Sequence, residues 1–213
     1  GLKGSGKPLL HTSGSSVVGD DARGGFCSPH VFDEQTPWVI NPFKQARRDI
    51  DLLVLSGVND GIKTAVICPS LIYGVGTGLN PNSVQIPFLA SNAQESGAVE
   101  IVGQGLNVWS NVHIEDVVAL YLLALTRNVP GTFYFVESGE ASFIDMTTAM
   151  AEALNLGKPQ DWPLQDAEAE WGYEMANYGL GSNSRVRGKH AREMLGWVPK
   201  RTSVVEWIRN EMV

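Results

Sequence analysis

The first seven residues have the types and spacing of a phosphate-binding loop. GLKGSGK fills seven positions of G-x-x-x-x-G-K-[ST], in which backbone N–H groups surround phosphates and a final hydroxyl holds Mg²⁺. Pro8 replaces the hydroxyl residue, and the apolar PLLHTSG that follows indicates a strand rather than the required helix. We therefore interpret residues 1–7 as the lead-in to a strand, with an Mg-ATP site dependent on Lys7 as the alternative.

The composition is typical of a folded protein that binds neither nucleic acid nor membrane. Of the 213 residues, 43% are hydrophobic and 18% are charged, and the formal net charge is -7. A nucleic-acid groove relies on lysine and arginine, so this acidic balance argues against one. The apolar run VVALYLLAL is far shorter than the roughly 20 residues that span a bilayer. Cys27 and Cys68 lack CxxC or Cys/His spacing, which predicts reduced thiols, no metal site and a cytoplasmic location.

Strands and helices alternate along the chain in the order that builds a parallel sheet. The segments PLLHTSG, KTAVICP and GTFYFVESG predict long strands, and VEIVGQG predicts a shorter one. The predicted helices are INPFKQARRDIDLLVLSGVND, VQIPFLASNAQES, HIEDVVALYLLAL, SFIDMTTAMAEALNLGKP, AREMLGW and SVVEWIRNEM, and SLIYGVGTGLNPNS is predicted as a loop. The alternation indicates βαβ units with helices on both faces. An open sheet of this kind normally has about six strands in two halves, more than are visible here.

Four successive segments resemble landmarks of the extended short-chain dehydrogenases/reductases, the NAD-dependent epimerase/dehydratase group. They are TSGSSVVGD, AVICPSLIYGVGTG, NVWSNVHIEDVVALYLLAL and AREMLGWVPKRTSVVEWI. The resemblance implies an α/β fold: the C-terminal half of a Rossmann-like, doubly wound parallel sheet with a small α/β substrate-binding subdomain. The family's opening G-x-x-G-x-x-G strand and loop do not occur in this sequence. We therefore expect an N-terminal cofactor half that is cleaved away or travels with the chain as a separate fragment.

The resemblance also divides the chain into four segments. Residues 1–80 are expected to form the C-terminal part of the Rossmann-like domain, and residues 113–140 its return helix and strand. Residues 81–112 are expected to contribute a segment of the substrate-binding subdomain. Residues 141–213 are expected to form the mainly helical remainder of that subdomain.

Reductases of this family carry a Tyr-x-x-x-Lys pair on the helix after the TSG strand, and this chain replaces both residues. The aligned PFKQARRD places Phe43 at the tyrosine and Arg47 at the lysine. Phe43 has no proton to give, while Arg47 can hydrogen-bond a ribose or phosphate but cannot shuttle protons. A shift of one residue brings in Lys44, which still supplies no phenol. The family's substrate-contacting Ser or Thr falls at Ser13 or Gly14, so we predict Ser13 and Arg47 as catalytic residues and expect the standard mechanism to be lost.

The same resemblance predicts two sets of binding residues around one cleft. The cofactor, NAD or NADP, is expected to contact Ser13, Gly14, Arg47, Pro69, Ser70 and Leu71. The substrate is expected to contact Ser15, Asn82, Ser83, Gln85 and Trp109. Trp109 stands where nucleotide-sugar enzymes of the family carry a diphosphate-clamping arginine, so we expect a substrate without a diphosphate. Structural alternatives stay open: core packing for Trp109, a strand-end cap for Ser13 and an exposed turn for NPN.

Two functions of different class follow from the resemblance. The first is an NAD(P)-dependent oxidoreductase, epimerase or dehydratase that acts on a small carbonyl or alcohol. The second is a catalytically silent NAD(P)-binding sensor or scaffold, in which Phe43 at the tyrosine position reflects the loss of catalytic activity. In both cases we expect a small-molecule ligand, no nucleic-acid or membrane partner and, by analogy, a homodimer formed through the helix that contains Arg47.

Overall fold

The computed structural model describes residues 1–127 and 129–213, which form an α/β fold. The helices of these residues are α1 Gln45–Ser56, α2 Gln85–Ser96, α3 Ile114–Arg127, α4 Phe143–Leu154, α5 Leu164–Glu174, α6 Lys189–Leu195 and α7 Val204–Glu211. The strands are β1 Pro8–Thr12, β2 Phe32–Asp33, β3 Lys63–Pro69, β4 Leu71–Tyr73, β5 Glu100–Val102, β6 Val108–His113, β7 Thr132–Val136, β8 Gly139–Ser142, β9 Gln160–Trp162 and β10 Val186–Arg187. None of the helices in this part of the chain is both long and apolar enough to cross a bilayer.

A parallel three-stranded sheet in the order β1-β3-β7 forms the centre of the fold. The register places Thr12 of β1 beside Ile67 of β3, and Cys68 of β3 beside Phe135 of β7. The carboxyl ends of the three strands therefore meet at one edge. After Lys63 and Thr64, β3 is continuously apolar from Ala65 to Pro69, as expected of a strand that is buried on both faces. These features confirm the predicted Rossmann-like, parallel architecture.

Successive residues of β3 pack into different cores on the two faces of the sheet. Ala65 and Ile67 join the core formed with α3 and α6, which includes Trp197. Val66 and Cys68 join the core on the face covered by α1. This alternation is the period of two that a strand imposes on its side chains. Packing on both faces holds the strand ends, and the turns that follow them, in place.

A second group of strands carries the remaining core. The sheet β4-β6-β8 is parallel between β4 and β6 and antiparallel between β6 and β8. Two further parallel pairs join β5 to β9 and β10 to β2. The largest buried cluster includes Trp109, Phe143, Trp162 and Trp207, with residues from α2, α4 and α7. This layer positions the residues that face the ends of the central strands.

Helix α1 begins later than its sequence pattern predicts, and the turn before it orients Phe43 and Lys44. Pro42–Lys44 form a 3-10 turn, and the Asn41 side chain accepts a hydrogen bond from the Phe43 backbone N–H at 2.9 Å. Helix α1 then runs from Gln45. Because neighbouring residues of a helical turn point in different directions, Phe43 and Lys44 enter different surroundings.

Other elements also differ from the sequence predictions. Strand β4 lies in the segment predicted as a loop, and β6 was not predicted. Helix α4 begins after its predicted cap, Ser142, but ends at Leu154, where Asn155 adopts the left-handed conformation with φ 55°. Residues 164–180, which the sequence analysis left unassigned, form α5 and a π-helical turn.

Residues 1–7 form an exposed lead-in at the amino end of β1. Lys3 Nζ lies 2.9 Å from Asp60 Oδ1, and β1 rather than a helix follows Lys7. A phosphate loop needs the amides of a helix N-terminus, which this segment does not supply. The lead-in interpretation is therefore confirmed.

Candidate active site

A cavity of about 650 Å³ lies at the carboxyl ends of β1 and β3. Its walls come from the turn after β1, the start of α1, the loop before α2, and the end of α5 with the turn that follows. Small-molecule sites commonly have volumes of roughly 300–1,000 Å³. Ligands of open α/β sheets bind outside the carboxyl ends of the strands, so this cavity has the size and position of a ligand site.

Most of the site residues predicted from the sequence line this one cavity. They are Ser13, Gly14, Ser15, Arg47, Pro69, Ser70, Asn82, Ser83, Gln85 and Trp109. Leu71 does not reach it: its side chain is 1% exposed and packs in the aromatic core, so it offers no surface to a cofactor. Phe43 is also absent from the lining, and the residue is 50% exposed.

The Ser13 side chain is bound to a buried carboxylate. Ser13 Oγ donates to Asp51 Oδ2 at 3.1 Å, and Asp51 of α1 is fully buried. His11 Nε2 lies 3.4 Å from Asp51 Oδ1, and Arg48 Nη1 lies 3.9 Å from Oδ2. Burial raises the pKa of Asp51, although the Ser13 hydrogen bond and the Arg48 charge act in the opposite direction. These four residues, which we call the Asp51 cluster, join β1 to α1 behind the cavity.

Gly14 and Arg47 face each other within the cavity. A Cβ atom on Gly14 would lie 3.8 Å from Arg47 Nη1, and Arg47 Nη2 lies 3.7 Å from Glu174 Oε1. A guanidinium carries five N–H donors and stays charged, so Arg47 suits the hydroxyls of a ribose or an anionic group. The N–H donors of Arg47 therefore suit the nicotinamide end of a dinucleotide.

Lys44 is a buried cation in the wall of the same cavity. Its side chain is 2% exposed, Nζ donates to Glu174 Oε1 at 2.6 Å, and Nζ lies 4.4 Å from the centroid of the Tyr178 ring. Burial lowers the pKa of Lys44, although Glu174 acts in the opposite direction. The hydrogen bond from Lys44 lowers the pKa of Glu174. We call Lys44, Arg47, Glu174 and Tyr178 the Lys44 cluster.

Sequence reasoning missed most of this cluster. Lys44 was noted only because it follows Phe43. Glu174 is 130 residues away from Lys44, so no local spacing could pair them. Tyr178 lies in the unassigned helical segment. The contacts of these residues depend on how residues 164–180 fold back over α1.

Phe43 packs between elements and does not enter the cavity. Its ring stacks on Tyr178 with 5.3 Å between centroids and 4° between planes. The Tyr173 ring meets Phe43 edge-on at 5.1 Å. Burial raises the pKa of Tyr178, so its phenol keeps its proton. Phe43 thus joins the start of α1 to the helical segment that covers it.

The predicted substrate-side residues form walls held by internal hydrogen bonds. Trp109 Nε1 donates to the Ser182 carbonyl at 2.8 Å, and Gln85 Nε2 donates to the Gly179 carbonyl at 2.6 Å. Ser15 Oγ accepts a hydrogen bond from Ser184 Oγ at 2.8 Å. These bonds orient the walls, and Trp109 both packs in the core and faces the cavity.

Two curated relatives resemble nearly the whole chain. Oxidase ucsJ of Acremonium sp is 31% identical over 222 residues, which covers 90% of this chain and 64% of that protein. The uncharacterized protein YLL056C of Saccharomyces cerevisiae is 26% identical over 210 residues, covering 98% of this chain and 65% of that protein. The chain therefore spans just under two thirds of the length of these relatives.

A solved structure shows the same fold, and a family model gives the family. The UDP-glucuronic acid 4-epimerase of Bacillus cereus, in complex with UDP-glucuronic acid and NAD, matches with a TM-score of 0.72 at 16% identity. The match covers 96% of this chain and 60% of that chain, and at this identity it shows the fold. Solved neighbours hold NAD or NADPH, and the family is NAD dependent, which confirms the predicted cofactor class at the level of the family. The model described as the NAD dependent epimerase/dehydratase family matches residues 2–136, and the chain therefore belongs to that family.

Proposed function

We propose that this chain supplies the substrate-binding and nicotinamide-facing part of an NAD(P)-dependent oxidoreductase, epimerase or dehydratase site. The observation that carries the proposal is the cavity at the strand ends, which brings together residues from both predicted binding sets. Residues from widely separated elements converge there on a volume suited to a small ligand. The substrate in this proposal is a small, uncharged carbonyl compound or alcohol.

The cofactor side of the cavity contains the residues suited to a ribose. Arg47 would hold the ribose hydroxyls, and Gly14 leaves open space beside the guanidinium. The Asp51 cluster holds the turn after β1, so Ser13 acts through the position of that turn. When bound, a nicotinamide dinucleotide supplies or accepts a hydride at the substrate carbon.

The substrate side supports an uncharged ligand. Asn82, Ser83 and Gln85 offer amide and hydroxyl groups, and Trp109 and Trp171 offer aromatic surface. The described lining of the cavity contains one lysine, Lys44, and one arginine, Arg47, and both already contact the carboxylate of Glu174. A diphosphate is usually held by charge-assisted hydrogen bonds from such residues. The lining therefore favours a small carbonyl compound over a sugar nucleotide.

The experiment is a calorimetric titration of NADH and NADPH into the full-length polypeptide, followed by a hydride-transfer assay on uncharged aldehydes and ketones. We expect binding and turnover, and we expect Arg47→Ala to weaken dinucleotide binding by about 10-fold to 100-fold. Arg209→Ala is the matched control, because Arg209 pairs with Glu152 on the surface of α7, away from the cavity. Equal binding by wild type and Arg47→Ala would contradict the cofactor placement.

The silent sensor or scaffold is the second candidate, and Phe43 is the observation that favours it. In that case the full-length protein binds the dinucleotide but transfers no hydride to any of the aldehydes and ketones in the assay. The N-terminal cofactor fragment, the four segment boundaries, the cytoplasmic location and the homodimer stay predictions. Sedimentation of the purified protein with intact mass recorded on the same sample tests the fragment and the homodimer together.

A further inference from the structure

We propose that Lys44 Nζ is the proton donor to the substrate oxygen in this site, in place of the missing tyrosine phenol. The inference rests on the proposed function and names a catalytic group for it. Phe43 and Lys44 are neighbours in one 3-10 turn, yet Phe43 lies outside the cavity while Lys44 lines it. The residue next to the lost acid therefore brings a proton-bearing nitrogen into the cavity wall.

The other ionisable side chains that the structure places in the cavity lining are poorly suited to donate a proton. Arg47 stays charged at any working pH. Glu174 is held as a carboxylate, because the Lys44 hydrogen bond lowers its pKa. Tyr178 has a raised pKa, and its ring is stacked on Phe43. Lys44 differs from them because burial makes its ammonium a stronger acid than that of an exposed lysine.

The proposed step balances with the hydride of the nicotinamide cofactor. In carbonyl reduction, the carbon–oxygen π bond breaks, and the carbon gains the hydride. The oxygen takes the proton that leaves Lys44 Nζ, so the ammonium becomes a neutral amine. In alcohol oxidation, the neutral amine takes the hydroxyl proton as the carbon loses its hydride.

Glu174 provides a route by which Lys44 regains its proton. Its side chain is 57% exposed, and Oε1 lies 2.6 Å from Nζ. A water molecule at the exposed carboxylate can pass a proton through Glu174 to the amine. Glu174 is thus a positioning residue that also sets how readily Lys44 gives up its proton.

The first test compares Lys44→Met and Lys44→Arg with wild type in the full-length protein. We expect kcat for carbonyl reduction to fall about 100-fold to 10,000-fold in both variants, because neither side chain gives up a proton readily. Lys158→Met, which removes an exposed lysine that does not line the cavity, should keep the wild-type rate. A Lys44→Met enzyme with wild-type kcat and pH profile would overturn Lys44 as the donor while leaving the proposed function intact.

The second test uses the pH dependence of kcat. Carbonyl reduction needs the protonated amine, so the wild-type rate should fall as the pH rises through the pKa of Lys44. Glu174→Gln removes the carboxylate that raises this pKa, so the fall should move to lower pH. A purely structural role for Glu174 would leave the position of the fall unchanged. Phe43→Tyr should give no gain in rate, because that ring lies outside the cavity; a large gain would overturn the proposal.

A measurement independent of turnover follows the Cε resonance of ¹³C-labelled lysine across a pH titration. The Lys44 signal, assigned by its loss in Lys44→Arg, should titrate at a pH below the ordinary lysine pKa of 10.5, and lower still in Glu174→Gln. Titration of Lys44 at the ordinary lysine pKa would overturn the donor role. Absence of hydride transfer by wild type would overturn the proposed function, and the donor role with it.

Discussion

Two charged clusters flank the same cavity, and they differ in which partner is buried. In the Asp51 cluster the carboxylate is fully buried between β1 and α1. In the Lys44 cluster the cation is buried, and the carboxylate of Glu174 is 57% exposed. The pKa of Asp51 is raised, chiefly by burial, whereas the pKa of Glu174 is lowered, chiefly by the Lys44 hydrogen bond. Two carboxylates near one cavity thus favour opposite protonation states.

The difference shows that burial outweighs the cationic neighbour at Asp51, whereas the direct hydrogen bond from Lys44 outweighs burial at Glu174. Arg48 lies near Asp51 as Arg47 lies near Glu174, yet only the exposed carboxylate keeps a lowered pKa. Removal of one charged residue from a cluster also has different consequences in the two clusters. In the Asp51 cluster Ser13 and Arg48 Nη1 stay buried, whereas in the Lys44 cluster the carboxylate can turn to water.

The largest effect is expected from Asp51→Ala. The variant leaves the Ser13 hydroxyl without its acceptor and removes the counter-charge of Arg48, whose Nη1 is already buried without a hydrogen bond. We expect the free energy of unfolding to fall by about 3 kcal/mol, measured by urea denaturation. Asp49→Ala, which removes an exposed carboxylate from the same helix, is the control. Equal losses of unfolding free energy in the two variants would contradict a special role for the buried carboxylate.

A smaller effect is expected in the pH dependence of stability, with opposite signs for the two clusters. The folded pKa of Asp51 lies above its ordinary value of 3.8, so its contribution is present below pH 3.8 and is lost as the pH rises through the folded pKa. The folded pKa of Lys44 lies below 10.5, so burial of its charge costs stability at lower pH, and the cost is relieved as the pH rises through the folded pKa.

Urea unfolding across pH measures both slopes. Asp51→Asn should remove the loss of stability that accompanies rising pH in the acidic range. Lys44→Met should remove the gain of stability that accompanies rising pH in the basic range. If Asp51→Asn leaves the acidic slope unchanged, the folded carboxyl titrates at its ordinary pKa and the contrast with Glu174 disappears.

Lys44→Met should change the free energy of unfolding by less than about 1 kcal/mol. The methionine fills similar volume and removes a buried charge, while Glu174 gains hydration. Lys44→Ala separates packing from charge, because it also removes the methylene stem and should cost more. A loss in Lys44→Met as large as that in Asp51→Ala would show that the two clusters respond alike.

The smallest effect is expected from Gly14→Ser, which adds a hydroxyl between the two clusters. Gly14 has extended backbone with φ -161°, and a Cβ there meets Arg47 at an ordinary contact distance of 3.8 Å. We expect a change within about 0.5 kcal/mol in the free energy of unfolding. Gly24→Ser is the contrasting control: φ is +73°, and a Cβ would lie 1.9 Å from the Val102 carbonyl oxygen. A large loss in Gly14→Ser would mean that the space between the clusters is filled.

The elements predicted correctly are those with a strong local pattern. KTAVICP is continuously apolar after Thr64 and forms β3, and HIEDVVALYLLAL has helical periodicity and forms most of α3. Strand β6 escaped prediction because it contains Ser110, Asn111 and His113, whose burial depends on distant partners; Ser110 Oγ, for example, donates to the Val186 carbonyl. The helical segment 164–180 contains Gly172 with φ 80° and a π-helical turn, which break the regular period.

The sequence alone determined the chemical nature of the site. It showed that Phe43 cannot donate a proton, that Arg47 stays charged, and that four motifs resemble one family. Only the tertiary structure decided that Lys44 enters the cavity, that Ser13 is bound to Asp51, and that Glu174 reaches Lys44 across 130 residues. The physical reason is that a side chain carries its functional group wherever it lies, whereas its burial and partners depend on segments far away in the chain.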